Sequence, residues 1–210
     1  PLSNRVAQRQ VLVLEHVELQ PFVPPPLRHI SLQVTGQQRI GLIGPNGTGK
    51  STLLKVIAGR IEALSGLRKI TGRVAYLDQR LDCLDPKRST IAQLQDVNST
   101  LSESEIRMRL AQLGLDEQKV VTSPDSLSGG ERLKAALACV IYADEPPQLL
   151  LLDEPSNHLD LPSLAALEAL LTAYGGALIV ASHDQAFLKQ LRLTDLLHAE
   201  SNGWDLKSVE

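Results

Sequence analysis

The residues best suited to chemistry form one glycine-rich stretch, Gly44-Pro45-Asn46-Gly47-Thr48-Gly49-Lys50-Ser51-Thr52. It fits the pattern G-x-x-x-x-G-K-[ST], in which backbone N–H groups surround phosphate groups. A predicted strand at residues 39–43 precedes it, and a predicted helix at residues 50–58 follows. The first turn of that helix has unpaired N–H groups and the positive end of the helix dipole. The stretch therefore predicts an anion site, in which Lys50 reaches the outer phosphates and Ser51 binds Mg²⁺.

Three further polar sites follow predicted strands directly. Asp153 and Glu154 come after four consecutive leucines, which indicate a strand buried on both faces. His183 follows another apolar segment, and Gln79 closes a third strand. Ligands of open α/β sheets bind beyond the carboxyl ends of the strands. We therefore expect one nucleotide to contact the phosphate loop and all three of these sites.

The two adjacent carboxylates suit different tasks. Asp153 would hold Mg²⁺, mainly through water, because Mg²⁺ keeps much of its hydration shell. Glu154 would orient and deprotonate the attacking water, as phosphoryl transfer requires. The simpler alternatives are a turn residue for Asp153 and a helix-capping or surface residue for Glu154. A histidine such as His183 is, taken alone, more often structural.

A second glycine-containing stretch, Ser128-Gly129-Gly130-Glu131, has the pattern of a capping box at the start of a helix. The two glycines would also leave backbone N–H groups exposed and allow another chain to approach closely. The two interpretations are compatible. The stretch therefore predicts both a helix start and a surface for a partner.

The order of predicted elements indicates the fold class. Strands alternate with helices and several strands are wholly apolar, so we expect an α/β domain with a mostly parallel core sheet. Residues 11–210 would form this single domain, with a small helical lobe at about residues 85–143. The polar residues 1–10 are predicted to be the remnant of a linker, and the chain starts at Pro1 instead of Met.

Composition narrows the class of protein further. The chain has 210 residues, 43% of them hydrophobic, and a net charge of −3, which gives no general basic surface for nucleic acid. No apolar run approaches the roughly 18 residues that span a bilayer. The two cysteines form no C-x-x-C pair and are interpreted as reduced thiols. These features predict a cytoplasmic protein.

The order of these motifs resembles the nucleotide-binding cassette of ABC ATPases. GPNGTGKST resembles the Walker A loop, and Gln79, LSGGE, LLLLDEP, SNHLD and SHD resemble the Q-loop, signature, Walker B, D-loop and switch. The segment Asn157-His158-Leu159-Asp160 and the pair Phe187-Leu188 resemble the ABC-F subfamily. The resemblance implies a P-loop NTPase cassette with an antiparallel β part, and an ATPase that uses ATP and Mg²⁺. ABC-F proteins carry two cassettes, lack a membrane domain and mostly act on the ribosome.

The family also implies roles for individual residues. Gln79 would sense Mg²⁺ and the attacking water, and His183 would contact the γ-phosphate. Residues Ser128–Glu131 would bind the γ-phosphate of ATP held by an opposite cassette, and Asp160 would act across that interface. Phe22 would stack on adenine, although a core phenylalanine is the alternative. A complete site would then need a second cassette, either on the same full-length chain or from another copy of this chain.

Some positions depart from the family pattern. Ser156 stands where Thr is usual, and Gln185 stands where Arg is usual. Only 49 positions (128 − 79) separate Gln79 from Ser128, which leaves no room for the long helical arm of ABC-F first cassettes. We therefore expect one cassette, the second of a two-cassette protein, with weak activity when isolated. The alternatives are the ATP-binding subunit of a membrane transporter and a DNA-associated ABC ATPase.

Overall fold

The structure, a computed structural model, describes residues 9–210. The predicted linker remnant at residues 1–10 lies outside the described residues except for its last two. The strands are β1 (Gln10–Glu18), β2 (His29–Thr35), β3 (Arg39–Ile43), β4 (Ser65–Ile70), β5 (Val74–Leu77), β6 (Leu149–Asp153), β7 (Ala177–Ala181), β8 (Asp195–Glu200) and β9 (Gly203–Ser208). The α-helices are α1 (Lys50–Ala58), α2 (Thr90–Val97), α3 (Glu103–Gln112), α4 (Glu117–Val121), α5 (Gly129–Ile141), α6 (Leu161–Ala173) and α7 (Gln185–Lys189). The predicted alternation of strands and helices is confirmed.

The strands form two sheets. The larger has the order β5-β6-β7-β3-β8-β9, with β6, β7, β3 and β8 mutually parallel and β9 antiparallel to β8. The smaller is antiparallel, with the order β2-β1-β4. A mostly parallel core sheet and an antiparallel part are therefore both present, as expected.

The chain divides into two compact units. Of the described residues, the first unit comprises 9–76, 147–154 and 175–210, and the second comprises 77–146 and 155–174. The first unit has a continuous aliphatic core drawn from both sheets and α1. The α1 residues Leu53, Leu54 and Ile57 are completely buried in it. The four leucines of β6 are also fully buried, which confirms a strand covered on both faces.

The antiparallel sheet contains a local irregularity that the sequence pattern did not reveal. Strand β1 changes register against both neighbours near His16, which has φ of 46°. An extra residue of this kind is a β-bulge, and it bends the strand. Gly66 lies inside β4 beside this bulge.

The second unit consists mainly of helices. Helix α3 begins with a capping box, in which the Glu105 carboxylate accepts from the backbone N–H of Ser102. Helix α5 ends at Ile141, and the short α4 was not predicted. In residues 9–210 no helix combines the length and the apolar character needed to cross a bilayer.

Candidate functional site

The phosphate loop leads into a helix end that is open to an anion. Gly49 adopts φ of 99° as the N-cap of α1, a left-handed conformation that favours glycine, and it makes no side-chain capping bond. Within residues 9–210, every other α-helix begins at a Ser or Asp whose side chain accepts a bond from the first turn. The first N–H groups of α1 are therefore uncapped by side chains and point to an anion site.

Lys50 brings a buried positive charge to this loop. The residue is only 7% exposed, and its ammonium group donates to the Gly44 carbonyl and lies 3.4 Å from His183 Nε2. Desolvation lowers the pKa of Lys50, and the charges of Glu154 and Asp153 offset part of that effect. A phosphate group would supply the close negative charge that this buried cation lacks.

Asp153 is the last residue of β6 and Glu154 follows it, so both lie at the predicted strand end, and each has a partner. The Tyr76 hydroxyl, on β5 beside β6, donates to Asp153 Oδ2 at 3.4 Å. The backbone N–H of Glu154 donates to Ala181 O at 2.8 Å, and Glu154 has φ of 50°. A non-glycine residue held in the left-handed region costs free energy and is frequent at functional sites.

His183 connects the end of β7 with the phosphate loop and Glu154. Its Nε2 lies 2.7 Å from Asn46 Oδ1 and 3.2 Å from Glu154 Oε1. Its backbone N–H donates to Glu154 Oε2 at 3.3 Å. The His183 side chain is 46% exposed, whereas that of Glu154 is only 18% exposed. The histidine is thus an accessible side chain beside the predicted base, and not a core residue.

These groups surround a cavity of about 280 Å³ in the first unit. Its lining includes Phe22 and Val23, most of the phosphate loop, and the carboxylates, namely Phe22, Val23, Asn46, Gly47, Gly49, Lys50, Ser51, Thr52, Asp153 and Glu154. Phe22 is 74% exposed, so the alternative of a core phenylalanine is wrong. An exposed aromatic face at the edge of such a cavity can stack on a flat ligand.

The second unit contains the other predicted site residues. Gln79 follows β5, and its contact with the nucleotide stays a prediction. Ser128 caps α5 through a complete capping box with Glu131. Asp160 caps α6 by accepting from Ser163 N at 2.8 Å. Hydrogen bonds from the Ser163 side chain and, second, from its backbone N–H lower the pKa of Asp160. The predicted capping box at Ser128 is therefore confirmed, whereas the cap at Asp160 was not predicted. The contacts of both residues with a partner stay predictions.

Besides its bond in the capping box, Glu131 forms an ion pair with Lys119. Its carboxylate lies 2.6 Å from Lys119 Nζ, and this contact is the main reason that the pKa of Glu131 is lowered. The first glycine, Gly129, faces open space, because an added Cβ would meet nothing within 4 Å. Packing within the described residues therefore does not require glycine at this position.

The structure brings together most of the predicted groups of the first unit. The phosphate loop, Asp153, Glu154 and Phe22 line one cavity, and His183 contacts two of its members. Sequence reasoning missed Tyr76 and Val23. The position of Tyr76 on the strand before Gln79 was a usable signal, but only the pairing order of the sheet places it beside Asp153.

Comparison with known proteins agrees with this geometry. The family described as ABC transporter matches residues 27–157, which is more than half of the chain. YheS of Haemophilus influenzae, named as an ATP-binding protein, is 39% identical over 166 residues, covering 78% of this chain and 26% of YheS. The ATP-binding protein Uup of the same organism is 33% identical over 168 residues, covering 77% of this chain and 26% of Uup. The chain thus spans about a quarter of the length of these relatives.

Solved structures with the same fold include an ABC transporter and a dimeric ATP-binding cassette. A metal-chelate type ABC transporter in an inward-facing conformation has a TM-score of 0.71 and 20% identity, covering 95% of this chain and 84% of its own. The dimeric ATP-binding cassette MJ0796, bound to ADP and Pi, has a TM-score of 0.74 and 19% identity. The match covers 95% of this chain and 99% of the MJ0796 chain. At these identities the likeness concerns the fold.

Proposed function

The chain belongs to the ABC transporter family, and from this premise we propose that it binds and hydrolyses Mg-ATP as one cassette of an ABC-F protein. One observation carries the proposal. The uncapped start of α1 and the buried Lys50 ammonium face the same cavity as Asp153 and Glu154. Positive and negative groups so arranged fit a phosphate chain, its metal ion and an attacking water.

The residues around the cavity fit Mg²⁺ as well as ATP. Mg²⁺ prefers oxygen ligands and few protein contacts, with waters and substrate phosphates completing its shell. Ser51 and Asp153 both line the cavity and supply a hydroxyl and a carboxylate. Ser51 would bind the ion directly and Asp153 would bind it through water. Gln79 would be a further residue of the metal site. The ion would neutralise charge that develops on the phosphates during transfer.

Replacing Lys50 with Ala tests the site directly. We expect Mg-ATP affinity to fall about 100-fold, because a charge-assisted hydrogen bond contributes up to about 3 kcal/mol. Isothermal titration calorimetry with Mg-ATP measures the change, and Lys55→Ala on the same helix is the control. If the unmodified chain produced no binding heat, or Lys50→Ala bound like the parent, the proposed nucleotide site would be wrong.

We further propose that a second cassette supplies the signature stretch that completes each site. Residues Ser128–Glu131 and Asp160 would contact ATP held by the partner. The open surroundings of Gly129 support this, because the fold does not require a glycine there. The dimeric state of the structurally similar MJ0796 supports it as well. Closure of the pair would be driven by ATP binding more tightly to the closed than to the open state.

The Gly129→Ala variant separates folding from contact with a partner. Thermal unfolding should be unchanged or slightly higher, because the added methyl meets open space. ATP turnover should fall on the order of 10-fold, since a methyl at a close approach misplaces the reacting groups. Phosphate release measured across protein concentrations checks this. Normal turnover at every concentration would argue against a partner contact at Gly129.

The biological target is proposed from the ABC-F features. We propose a cytoplasmic protein whose ATP cycle acts on the ribosome, supported by the Asn157–Asp160 segment and by similarity to YheS and Uup. Sedimentation with ribosomes in the presence of ATP, measured for the Glu154→Gln variant, tests this. Binding to DNA with a steep salt dependence, or recovery with an integral membrane protein, would instead support one of the alternatives.

A further inference from the structure

The loop between β1 and β2 carries Phe22, yet Phe22 does little to hold it. The ring is 74% exposed, so its own burial contributes little to the order of the loop. Bonds from Arg28 hold the loop instead. Its Nε donates to Val23 O at 2.8 Å and its Nη2 donates to Pro21 O at 2.7 Å. These two carbonyls flank Phe22 in the chain, so one planar guanidinium fixes the backbone on both sides of the ring.

The same loop is seated against the phosphate loop. Val23 is 1% exposed, and a Cβ added to Gly49 would lie 2.9 Å from Val23 Cγ1. The base of the loop is also fixed, because Leu19 N donates to Arg28 O at 2.6 Å and Trp204 Nε1 donates to Leu27 O at 2.8 Å. The position of Phe22 relative to Gly49 is therefore set by the backbone and by Val23.

We propose that Arg28 is a positioning residue that holds Phe22 in place for stacking on the base of the nucleotide. This inference rests on the proposed function. Ordering a loop during binding costs free energy that a preordered loop does not need to supply. Without Arg28, the carbonyls of Pro21 and Val23 would bond to water, and Phe22 would sample several positions. Arg28 thus acts on the base and not on the phosphates.

Binding of two ligands distinguishes an effect on the base from an effect on the phosphates. Mg-tripolyphosphate presents the phosphates without a base, whereas Mg-ATP presents both. By calorimetry, Arg28→Met should weaken Mg-ATP binding about 10-fold and change Mg-tripolyphosphate binding less than about 2-fold. Arg28→Lys should lie between the parent and Arg28→Met, because one ammonium cannot match the fixed fork of a guanidinium. Lys69→Met, at an exposed lysine of β4, is the charge-matched control and should change neither.

Combining variants tests whether Arg28 acts through Phe22. The double variant Arg28→Met/Phe22→Ala should bind Mg-ATP no more weakly than Phe22→Ala alone, since the ring that Arg28 positions is already missing. Additive losses would contradict the proposal. An equal loss of Mg-ATP and Mg-tripolyphosphate affinity in Arg28→Met would overturn it too, because that result indicates a general disturbance of the site.

Hydrogen exchange gives a measurement that needs no nucleotide. The Val23 amide donates to Gln20 O at 3.0 Å, and its exchange should accelerate at least about 10-fold in Arg28→Met but not in Phe22→Ala. Unchanged exchange in Arg28→Met would refute the positioning role. Should the unmodified chain bind neither ligand while exchange responds as expected, the proposed function would be wrong and the structural role of Arg28 would stand.

Discussion

The Glu154→Gln variant is expected to lose about 10²- to 10³-fold in ATP turnover while keeping Mg-ATP affinity within a few-fold of the parent. An amide cannot accept the proton of the attacking water, so the chemical step is lost. Binding depends mainly on the phosphate loop and Lys50, which the substitution leaves in place. The carboxylate is only 18% exposed beside His183, which suits a base protected from bulk water.

The geometry makes Gln a conservative replacement at this position. In the parent, His183 N donates to Glu154 Oε2 at 3.3 Å. The amide oxygen of Gln can accept the same hydrogen bond in the variant. The backbone bond from Glu154 N to Ala181 O does not depend on the side chain. The left-handed φ of 50° is also unchanged. A loss of turnover therefore reports the missing carboxylate and not a disturbed fold.

Single-turnover hydrolysis of radiolabelled Mg-ATP is the suitable measurement, because it detects slow chemistry in an isolated cassette. Glu62→Gln, an exposed glutamate in the same unit, is the matched control and should hydrolyse ATP like the parent. Turnover by Glu154→Gln at the parent rate would show that another group, or water alone, takes the proton.

The second large effect is expected for Gly66→Ala, which should lower the free energy of unfolding by about 2–4 kcal/mol. Gly66 has φ of 93°, and an added Cβ would lie 2.3 Å from His16 O and 2.6 Å from Val17 Cα. These are backbone atoms of the bulged strand β1, so no side chain can rotate away. The strain of a left-handed alanine adds to the clash.

Thermal or denaturant unfolding measures this loss, and for a domain of this size we expect the midpoint to fall by about 5–12 °C. Gly175→Ala is the matched control, because a Cβ there meets nothing within 4 Å. Its stability should be unchanged or slightly raised. If Gly66→Ala unfolded at the same temperature as Gly175→Ala, the close approach of β1 and β4 at the bulge would be wrong.

Local patterns in the sequence determined a large part of this protein. The glycines and Lys50 after an apolar strand specify a phosphate loop and the helix that follows it, because both depend on residues adjacent in the chain. Capping boxes at Ser102 and Ser128 are equally local, and both are present. Buried strands such as β6 follow from an unbroken apolar run. The α/β class follows from the alternation of such segments.

Contacts between residues far apart in the chain were decided by the tertiary structure alone. His183 meets Asn46 because β3 and β7 pair, and Tyr76 meets Asp153 because β5 and β6 are neighbours. Even over a separation of seven residues, Arg28 reaches Pro21 only because the loop before β2 folds back on itself. The requirement for Gly66 arises from a bulge in another strand. Periodicity shows which side of an element is buried, whereas strand order and register decide which residues it meets there.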